Sequence, residues 1–225
     1  MSVGIIIQAR MGSTRLPGKV LKKIGGKTLL EHIIFRLEKL DTDTKVVIAT
    51  SDLEKDDILE NVCVENNICY FRGSESNVLQ RYYNCAKENS FKHIVRLTGD
   101  NPFVDIEELD KLIDLHISSN ADYSRSFAVL PKGVGSEIFT FNTLELSYEY
   151  GKSPNHLEHV NEYIEENESK FKISELQVKE EINRPNISLT VDTQDDYEKA
   201  CFIVEHSTNE YISTQESINL CLQFA

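Results

Sequence analysis

Short apolar runs alternate with amphipathic segments along the first half of the chain. The first run, 3–7, is almost entirely β-branched, as is typical of a strand that is covered on both faces. The segment 28–40 repeats apolar residues every three or four positions, which predicts a helix with one buried side. The pattern predicts strands over 3–7, 45–50, 68–71 and 93–98, and helices over 28–40, 51–66, 77–89 and 105–119.

This alternation, with connections of only a few residues, predicts an α/β fold. Such connections imply right-handed crossovers and a mostly parallel central sheet with helices on both faces, which gives three layers. Ligands of such sheets bind at the carboxyl edge of the strands. We therefore look for chemistry in the loops that follow the predicted strands.

The alternation changes at residue 121. Strands are predicted over 123–129, 136–141 and 171–178, and helices over 142–150 and 155–167. We interpret 121–180 as a small inserted α/β arm, with substrate binding and homodimer contacts as its two open roles. No linker, repeat or low-complexity stretch interrupts the chain, so we predict a single domain over 1–225. A late strand over 186–191 precedes a helix over 193–207 and a short final helix.

The loop after the first strand combines glycines with cationic side chains. Arg10, Arg15 and Lys19 follow the strand, with Gly12 and Gly18 among the residues between them. Fixed positive charges neutralise phosphate, and backbone N–H groups can approach a ligand closely where no Cβ intervenes. The loop therefore predicts a phosphate site, with a solvated basic turn as the alternative.

The overall charge makes this cationic cluster more informative. Lys and Arg total 24 against 37 Asp and Glu, for a net charge of −13. An acidic chain is poorly suited to nucleic acid or an anionic membrane, so we expect neither as a partner. The five cysteines have no Cys-x-x-Cys spacing, and the start of the chain lacks a signal-peptide pattern. We predict a cytoplasmic protein with reduced, buried thiols.

Two aspartates, Asp100 and Asp192, each end a predicted apolar strand. An aspartate in that position often only caps a helix. Opposite a phosphate-binding loop, however, two carboxylates would repel a triphosphate unless a divalent cation lay between them. Mg²⁺ binds carboxylate and phosphate oxygens, so we predict a Mg²⁺ site at Asp100 and Asp192. Metal and loop cations would then share the charge that develops on a departing pyrophosphate.

Three segments resemble a known family. They are A-R-M-G-S-T-R-L-P-G-K at 9–19, T-G-D-N-P-F at 98–103 and L-T-V-D-T-Q-D-D-Y at 189–197. They resemble the cytidylyltransferases that activate acidic sugars, in particular the spore coat polysaccharide biosynthesis protein F family, which is similar to the CMP-KDO and CMP-N-acylneuraminate synthetases. The resemblance implies a Rossmann-like nucleotide-diphospho-sugar transferase fold. It also implies transfer of CMP from CTP to a nonulosonic or ulosonic acid, with release of pyrophosphate, for surface or spore-coat polysaccharide.

The resemblance also implies roles for particular residues. Arg10 and Lys19 would hold the triphosphate with support from Arg15, and Asp100 and Asp192 would hold Mg²⁺. The implied catalytic residues are Arg10, Lys19, Asp100 and Asp192. Further nucleotide contacts are implied for Ala9, Gly12, Ser13, Gln80 and Arg81, and acceptor contacts for Glu137 and His159. Two positions depart from the related patterns: Gln8 replaces a proline and Gln80 an acidic residue.

Two other functions stay open at this point. A uridylyl- or guanylyltransferase would share the fold, because the choice of base depends on a few loop contacts. A non-catalytic sugar-nucleotide-binding protein would also share it. The complete set of two loop cations and two aspartates favours an enzyme, since a binding protein need not keep both metal carboxylates.

Overall fold

The computed structural model describes residues 2–224 and contains one main β-sheet of seven strands. The strands of this sheet and of a separate two-stranded sheet are β1 (Val3–Gln8), β2 (Lys23–Ile24), β3 (Lys27–Thr28), β4 (Thr44–Ser51), β5 (Cys69–Gly73), β6 (His93–Thr98), β7 (Tyr123–Arg125), β8 (Glu137–Thr140) and β9 (Ile173–Glu175). The order in the main sheet is β5-β4-β1-β6-β8-β7-β9, and β2 pairs with β3 separately. Only β8 runs antiparallel to its neighbours in this sheet, so the predicted mostly parallel sheet is confirmed.

The helices cover both faces of the main sheet. They are α1 (Leu29–Leu37), α2 (Asp57–Glu65), α3 (Val78–Glu88), α4 (Ile106–Ser119), α5 (Phe141–Tyr150), α6 (Pro154–Glu158), α7 (Glu162–Glu165), α8 (Gln194–His206) and α9 (Thr214–Cys221). One core joins α1, α2 and α4 to the sheet, and a second joins α3, α5 and α7 to the opposite face. The predicted three-layer arrangement is therefore confirmed. A third core packs α8 and α9 against the loop that follows β1.

Strand β1 lies at the centre of the sheet, as its composition predicts. It pairs with β4 on one side and with β6 on the other. Ile5, Ile6 and Ile7 are fully buried, and burial of each such side chain contributes about 1.5–3 kcal/mol. Their side chains alternate between the two cores, with Ile5 and Ile7 in one and Ile6 in the other. A β-branched run satisfies both layers at once.

The order of the strands also locates a ligand cleft. The chain moves outward from β1 to β4 and β5, and then returns to place β6 on the other side of β1. This reversal is the topological switch point of the sheet, where the loops after two adjacent parallel strands diverge. The residues Gln8 and Thr98 are register partners at the carboxyl ends of β1 and β6. The two predicted motif loops both begin there.

The inserted arm contributes strands β7, β8 and β9 to the main sheet and helices α5 to α7 to one face. The observed strands of the arm are shorter than the predicted ones. The predicted helix over 142–150 begins one residue earlier, because Thr140 caps it by accepting a hydrogen bond from the Thr143 N–H. The roles of the arm in substrate binding or dimerisation stay predictions.

Two predicted elements of the second half are wrong. The helix predicted over 155–167 is divided into α6 and α7, because His159 adopts an extended backbone conformation with φ −112° and ψ 104°. The segment 186–191 forms no strand of the sheet. It makes an isolated bridge between Lys132 and Ser188, and its apolar side chains pack into the third core instead.

The cysteines and the helices bear on two further expectations. Within the described range, all five cysteines are free thiols. Cys63 and Cys85 are buried as predicted, whereas Cys69 is exposed and Cys201 and Cys221 are only partly buried, contrary to the prediction. Burial raises the pKa of the Cys63 thiol to about 11. None of the helices in residues 2–224 combines the length and the apolarity needed to cross a membrane.

We predict that Gly133→Ala destabilises the protein more than Gly26→Ala does. Both glycines have positive φ, +86° and +90°, so both alanines carry a backbone penalty of about 1–2 kcal/mol. A Cβ on Gly133 would also lie 2.6 Å from the Thr190 backbone nitrogen, whereas one on Gly26 meets no atom within 4 Å. The clash adds about 1–3 kcal/mol. Urea unfolding measures the difference, and equal losses in the two variants would contradict the contact.

Candidate active site

A cleft of about 360 Å³ opens at the carboxyl ends of β1 and β6. It lies at the switch point of the sheet, between the loop after β1 and the turn after β6. The predicted site residues that line it are Arg10, Gly12, Ser13, Arg15, Lys19, Asp100, His159 and Asp192. The structure therefore brings together the two halves of the site that the sequence places far apart.

The remaining predicted residues do not line this cleft. Ala9 is buried beneath the loop, where its N–H donates to the Ala49 carbonyl over 3.2 Å. Gln80 contacts the Tyr148 hydroxyl at 3.5 Å. Arg81 is fully buried and donates to the Ser74 carbonyl, and burial lowers its pKa. The nucleotide roles of Ala9, Gln80 and Arg81 stay predictions.

The loop after β1 is held in a defined shape from within and from below. The Met11 carbonyl accepts hydrogen bonds from the N–H groups of Ser13 at 3.0 Å and Gly18 at 3.2 Å. Gly18 has a φ of +66°, which favours glycine there. From below, the buried carboxylate of Asp56 accepts from the Met11 N–H at 2.6 Å and from the Ser51 hydroxyl. The loop cations therefore project from an anchored backbone.

The ammonium of Lys19 lies between the two predicted metal carboxylates. Its Nζ is 2.6 Å from Asp100 Oδ2 and 2.7 Å from Asp192 Oδ1. The Lys19 side chain is only 11% exposed, so this contact is screened little by solvent. Two carboxylates from distant parts of the chain thus converge on a single position that holds a cation.

Hydrogen bonds of side chains and of the backbone place the two carboxylates. The Thr98 hydroxyl donates to Asp100 Oδ1 at 2.6 Å, which leaves Oδ2 turned toward Lys19. The Val191 N–H donates to the Asp100 carbonyl at 2.9 Å, so the segment before Asp192 runs beside the turn after β6. Thr193 then caps α8, in a capping box with Asp196. These bonds bring Asp192 to the cleft without a further strand in the sheet.

The other two loop cations also have acidic partners. Arg10 Nη2 is 3.0 Å from Glu158 Oε1, and Arg15 Nη2 is 3.1 Å from Asp192 Oδ1. Arg15 is largely exposed, so its ion pair contributes little stability. The cleft thus holds its positive charges against side-chain carboxylates. An anionic ligand that enters must replace those carboxylates as the partners of the cations.

The donor set fits a magnesium ion. Mg²⁺ prefers oxygen ligands, and in enzymes it commonly takes one or two carboxylates with substrate phosphates and water. Asp100 and Asp192 converge on one cation position, where the Lys19 ammonium now stands. Across residues 2–224, no group of three or more His, Cys, Asp and Glu side chains is arranged around a metal position. A metal at this pair would therefore need ligands from a bound substrate.

The structure adds site residues that the sequence predictions omit. Arg96 lines the cleft, and its Nη1 is 2.6 Å from Oε1 of Glu137, which is fully buried and does not line the cleft itself. The role of Glu137 as an acceptor contact stays a prediction. A charged residue within an apolar strand is the signal that could have identified Arg96. Glu158 and Asp56 carry no comparable signal, because their roles depend on which loop they meet.

The fold and this cleft define a class of protein. A mostly parallel sheet with a cationic loop facing two carboxylates at its switch point is typical of nucleotidyltransferases. A family model described as cytidylyltransferase matches residues 4–218. The chain therefore belongs to the cytidylyltransferase family, and the predicted resemblance and enzyme class are confirmed.

Individual relatives agree with this assignment. The chain is 41% identical to the spore coat polysaccharide biosynthesis protein SpsF of Bacillus subtilis, over 86% of this chain and 82% of the relative. The structure of a cytidylyltransferase from Leptospira borgpetersenii matches with a TM-score of 0.92 and 35% identity, over 99% of this chain and 94% of that one. A CMP:2-keto-3-deoxy-manno-octonic acid synthetase complexed with CTP shares the fold, with a TM-score of 0.66 and 18% identity over 89% and 97% of the two chains.

We predict that Asp56→Ala loosens the loop after β1, whereas Asp57→Ala does not. Removal of the buried Asp56 carboxylate leaves the Met11 N–H without its acceptor, at a cost of about 1–3 kcal/mol. Asp57 is exposed and forms an ion pair with Arg72 at 2.7 Å. Amide hydrogen exchange over residues 10–19 measures the effect. Equal protection of this loop in the two variants would show that Asp56 does not anchor it.

Proposed function

We propose that this cytidylyltransferase transfers CMP from CTP to an acidic sugar, a nonulosonic or ulosonic acid, and releases pyrophosphate. The observation that carries the proposal is the position of Lys19, which lies between Asp100 and Asp192 in the cleft and belongs to the anchored cationic loop after β1. The product would serve surface or spore-coat polysaccharide synthesis, a role suggested by the name of the Bacillus subtilis relative.

Binding of CTP would proceed as an exchange of ionic partners. The triphosphate offers Lys19 and Arg10 stronger anionic partners than the carboxylates they now contact, because it carries several negative charges and a carboxylate carries one. As Lys19 turns to the phosphates, Asp100 and Asp192 are left facing each other. Those two carboxylates would then hold Mg²⁺. Free Asp100 and Asp192 without a cation between them would repel the nucleotide, which links nucleotide and metal binding.

The chemistry is attack of a sugar hydroxyl oxygen on the α-phosphorus of CTP. A bond forms between that oxygen and phosphorus, and the bond from the α-phosphorus to the oxygen bridging to the β-phosphate breaks. Pyrophosphate leaves with the electron pair of that bond, and the hydroxyl proton passes to water. Arg10 and Lys19 stabilise the charge that develops on pyrophosphate. Bound Mg²⁺ would supply Lewis-acid stabilisation at the α-phosphate and lower the pKa of the attacking hydroxyl.

The acceptor class rests on relatives rather than on a ligand. One solved relative is named as a CMP:2-keto-3-deoxy-manno-octonic acid synthetase, and curated relatives are named 3-deoxy-manno-octulosonate cytidylyltransferases. The relative from Elusimicrobium minutum shares 36% identity over 49% of this chain. These names support a sugar acid as the acceptor here. Membership of the cytidylyltransferase family favours CTP over UTP and GTP.

We predict that Asp100→Asn and Asp192→Asn each abolish pyrophosphate release, with a loss of at least about 10²-fold in kcat. Each variant keeps the shape of the side chain and removes a charge that would hold the metal. Asp195→Asn is the matched control, because Asp195 is exposed in the first turn of α8, three residues from Asp192. A coupled pyrophosphate assay with CTP, Mg²⁺ and a panel of sugar acids provides the measurement. Full activity of either cleft variant would refute the metal assignment.

We expect the wild-type enzyme to release pyrophosphate with CTP faster than with UTP or GTP. The acceptor panel for this measurement contains 3-deoxy-manno-octulosonate, N-acetylneuraminate and the 1-phosphates of neutral sugars. Release with a sugar acid supports the proposed acceptor class. Release only with sugar 1-phosphates would replace the sugar acid by a sugar phosphate, and a preference for UTP or GTP would assign the enzyme to a different base.

A further inference from the structure

The cleft has a further cation that does not belong to the loop after β1. Arg96 comes from β6, whereas the three loop cations follow β1. Its charged partner, Glu137, lies on β8, directly across from it in the register of the sheet. Arg96 therefore lies toward the side of the sheet that is built by the inserted arm. A ligand group there would be on the far side of β6 from the loop.

Arg96 is held rigidly by buried neighbours. Glu137 is fully buried, and its second carboxylate oxygen accepts a hydrogen bond from the Tyr123 hydroxyl at 2.5 Å. The ring of Tyr82 lies 6.0 Å from the guanidinium carbon. Burial acts to lower the pKa of Arg96, but the Glu137 carboxylate outweighs that effect and the pKa is raised. The guanidinium is thus a fixed, permanently charged group in the wall of the cleft.

The hydrogen bonds of this wall are incomplete. Nε of Arg96 is buried and has no hydrogen-bond partner within residues 2–224. Oε1 of Gln8, on the adjacent strand β1, is also buried and also lacks a hydrogen-bond partner within these residues. Both residues line the cleft. An unmet buried donor or acceptor carries a free-energy cost, which a ligand that pairs with it removes. The wall therefore contains one cationic side chain that is 15% exposed and one amide side chain, and each has a hydrogen-bonding atom without a partner among the described residues.

The chemistry of these two side chains favours a hydroxy acid over a phosphate. Glu137 already neutralises much of the Arg96 charge, so the remaining donor suits a monoanion better than a phosphate dianion. A guanidinium presents planar N–H groups that match the planar oxygens of a carboxylate. Gln8 Oε1 can accept a proton from a neighbouring hydroxyl. A sugar acid carries both groups on one molecule.

We propose that Arg96 binds the carboxylate of the acceptor sugar and selects acids over neutral sugars, with Glu137 and Tyr123 as positioning residues behind it. This inference rests on the proposed function, because it concerns the acceptor half of the same cleft. It gives Glu137 a position one layer behind the substrate instead of a direct contact. It also gives Gln8 a role, as acceptor for a hydroxyl of the sugar.

The test compares each acid with its own carboxamide. The probes are 3-deoxy-manno-octulosonate and N-acetylneuraminate, each beside the corresponding amide, with CTP and Mg²⁺. For the wild type we expect kcat/KM for the acid to exceed that for the amide by about tenfold to a hundredfold. Arg96→Gln should bring this ratio close to one and leave the KM for CTP unchanged. A merely structural role would lower both values of kcat/KM and keep their ratio.

Two further variants protect the test from loss of folding. Arg96→Gln leaves the Glu137 carboxylate buried without its cation, which is destabilising. The double variant Arg96→Gln with Glu137→Gln removes both charges and should also give a ratio near one. Arg10→Gln is the matched control from the loop side of the cleft. It should raise the KM for CTP and keep the acid-to-amide ratio of the wild type.

The outcomes separate this inference from the proposed function. Wild-type turnover of a sugar acid, with an unchanged acid-to-amide ratio in both Arg96 variants, would overturn the role of Arg96 alone. Wild-type turnover of sugar 1-phosphates with no turnover of either acid would overturn the proposed function and the carboxylate site together. Loss of the ratio in the Arg96 variants, with its retention in Arg10→Gln, would establish the carboxylate site.

Discussion

The ammonium of Lys19, held between the carboxylates of Asp100 and Asp192, is the interaction on which the cleft depends. It joins three parts of the chain that are far apart in sequence: the loop after β1, the turn after β6 and the segment before α8. Without a cation at this point, two partly buried carboxylates would face each other across a short distance, which is costly. The site is therefore built around a cation position.

The same principle accounts for an anion site in an acidic protein. The chain carries a net charge of −13, yet each loop cation of the cleft is held in place by a local carboxylate, which the proposed triphosphate would replace. In the function that we propose, binding of a triphosphate exchanges one set of anionic partners for another. The long-range field of the protein matters less than these contacts, since charges beyond about 8–10 Å are largely screened at physiological salt.

Much of the fold could be predicted from the sequence, because its first half is locally consistent. The β-branched run of β1 and the apolar periodicity of α1 determine their elements almost alone. The second half depends on tertiary contacts. The segment 186–191 has a strand-like composition, but within residues 2–224 it forms an isolated bridge to Lys132 instead of a strand. Similarly, an extended backbone at His159 divides a segment whose amphipathic pattern is continuous.

The cleft shows the same division between local and tertiary signals. The glycines, cations and aspartates of the motif segments are local signals, and they are sufficient to predict that Lys19 lies opposite Asp100 and Asp192. The Arg96–Glu137 pair could not be predicted, because it requires the register between β6 and an antiparallel strand from the arm. Sequence reasoning therefore located the loop cations and the two aspartates of the cleft but did not identify Arg96.

Binding of Mn²⁺, followed by electron paramagnetic resonance, tests the central claim most directly. The measurement compares the wild type with the double variant Asp100→Asn, Asp192→Asn, each with and without a non-hydrolysable CTP analogue. The exchange of ionic partners predicts that the wild type binds Mn²⁺ tightly only when the analogue is present. It also predicts that the double variant does not bind Mn²⁺ tightly even with the analogue. Equal Mn²⁺ binding by the wild type and the double variant in the presence of the analogue would contradict it.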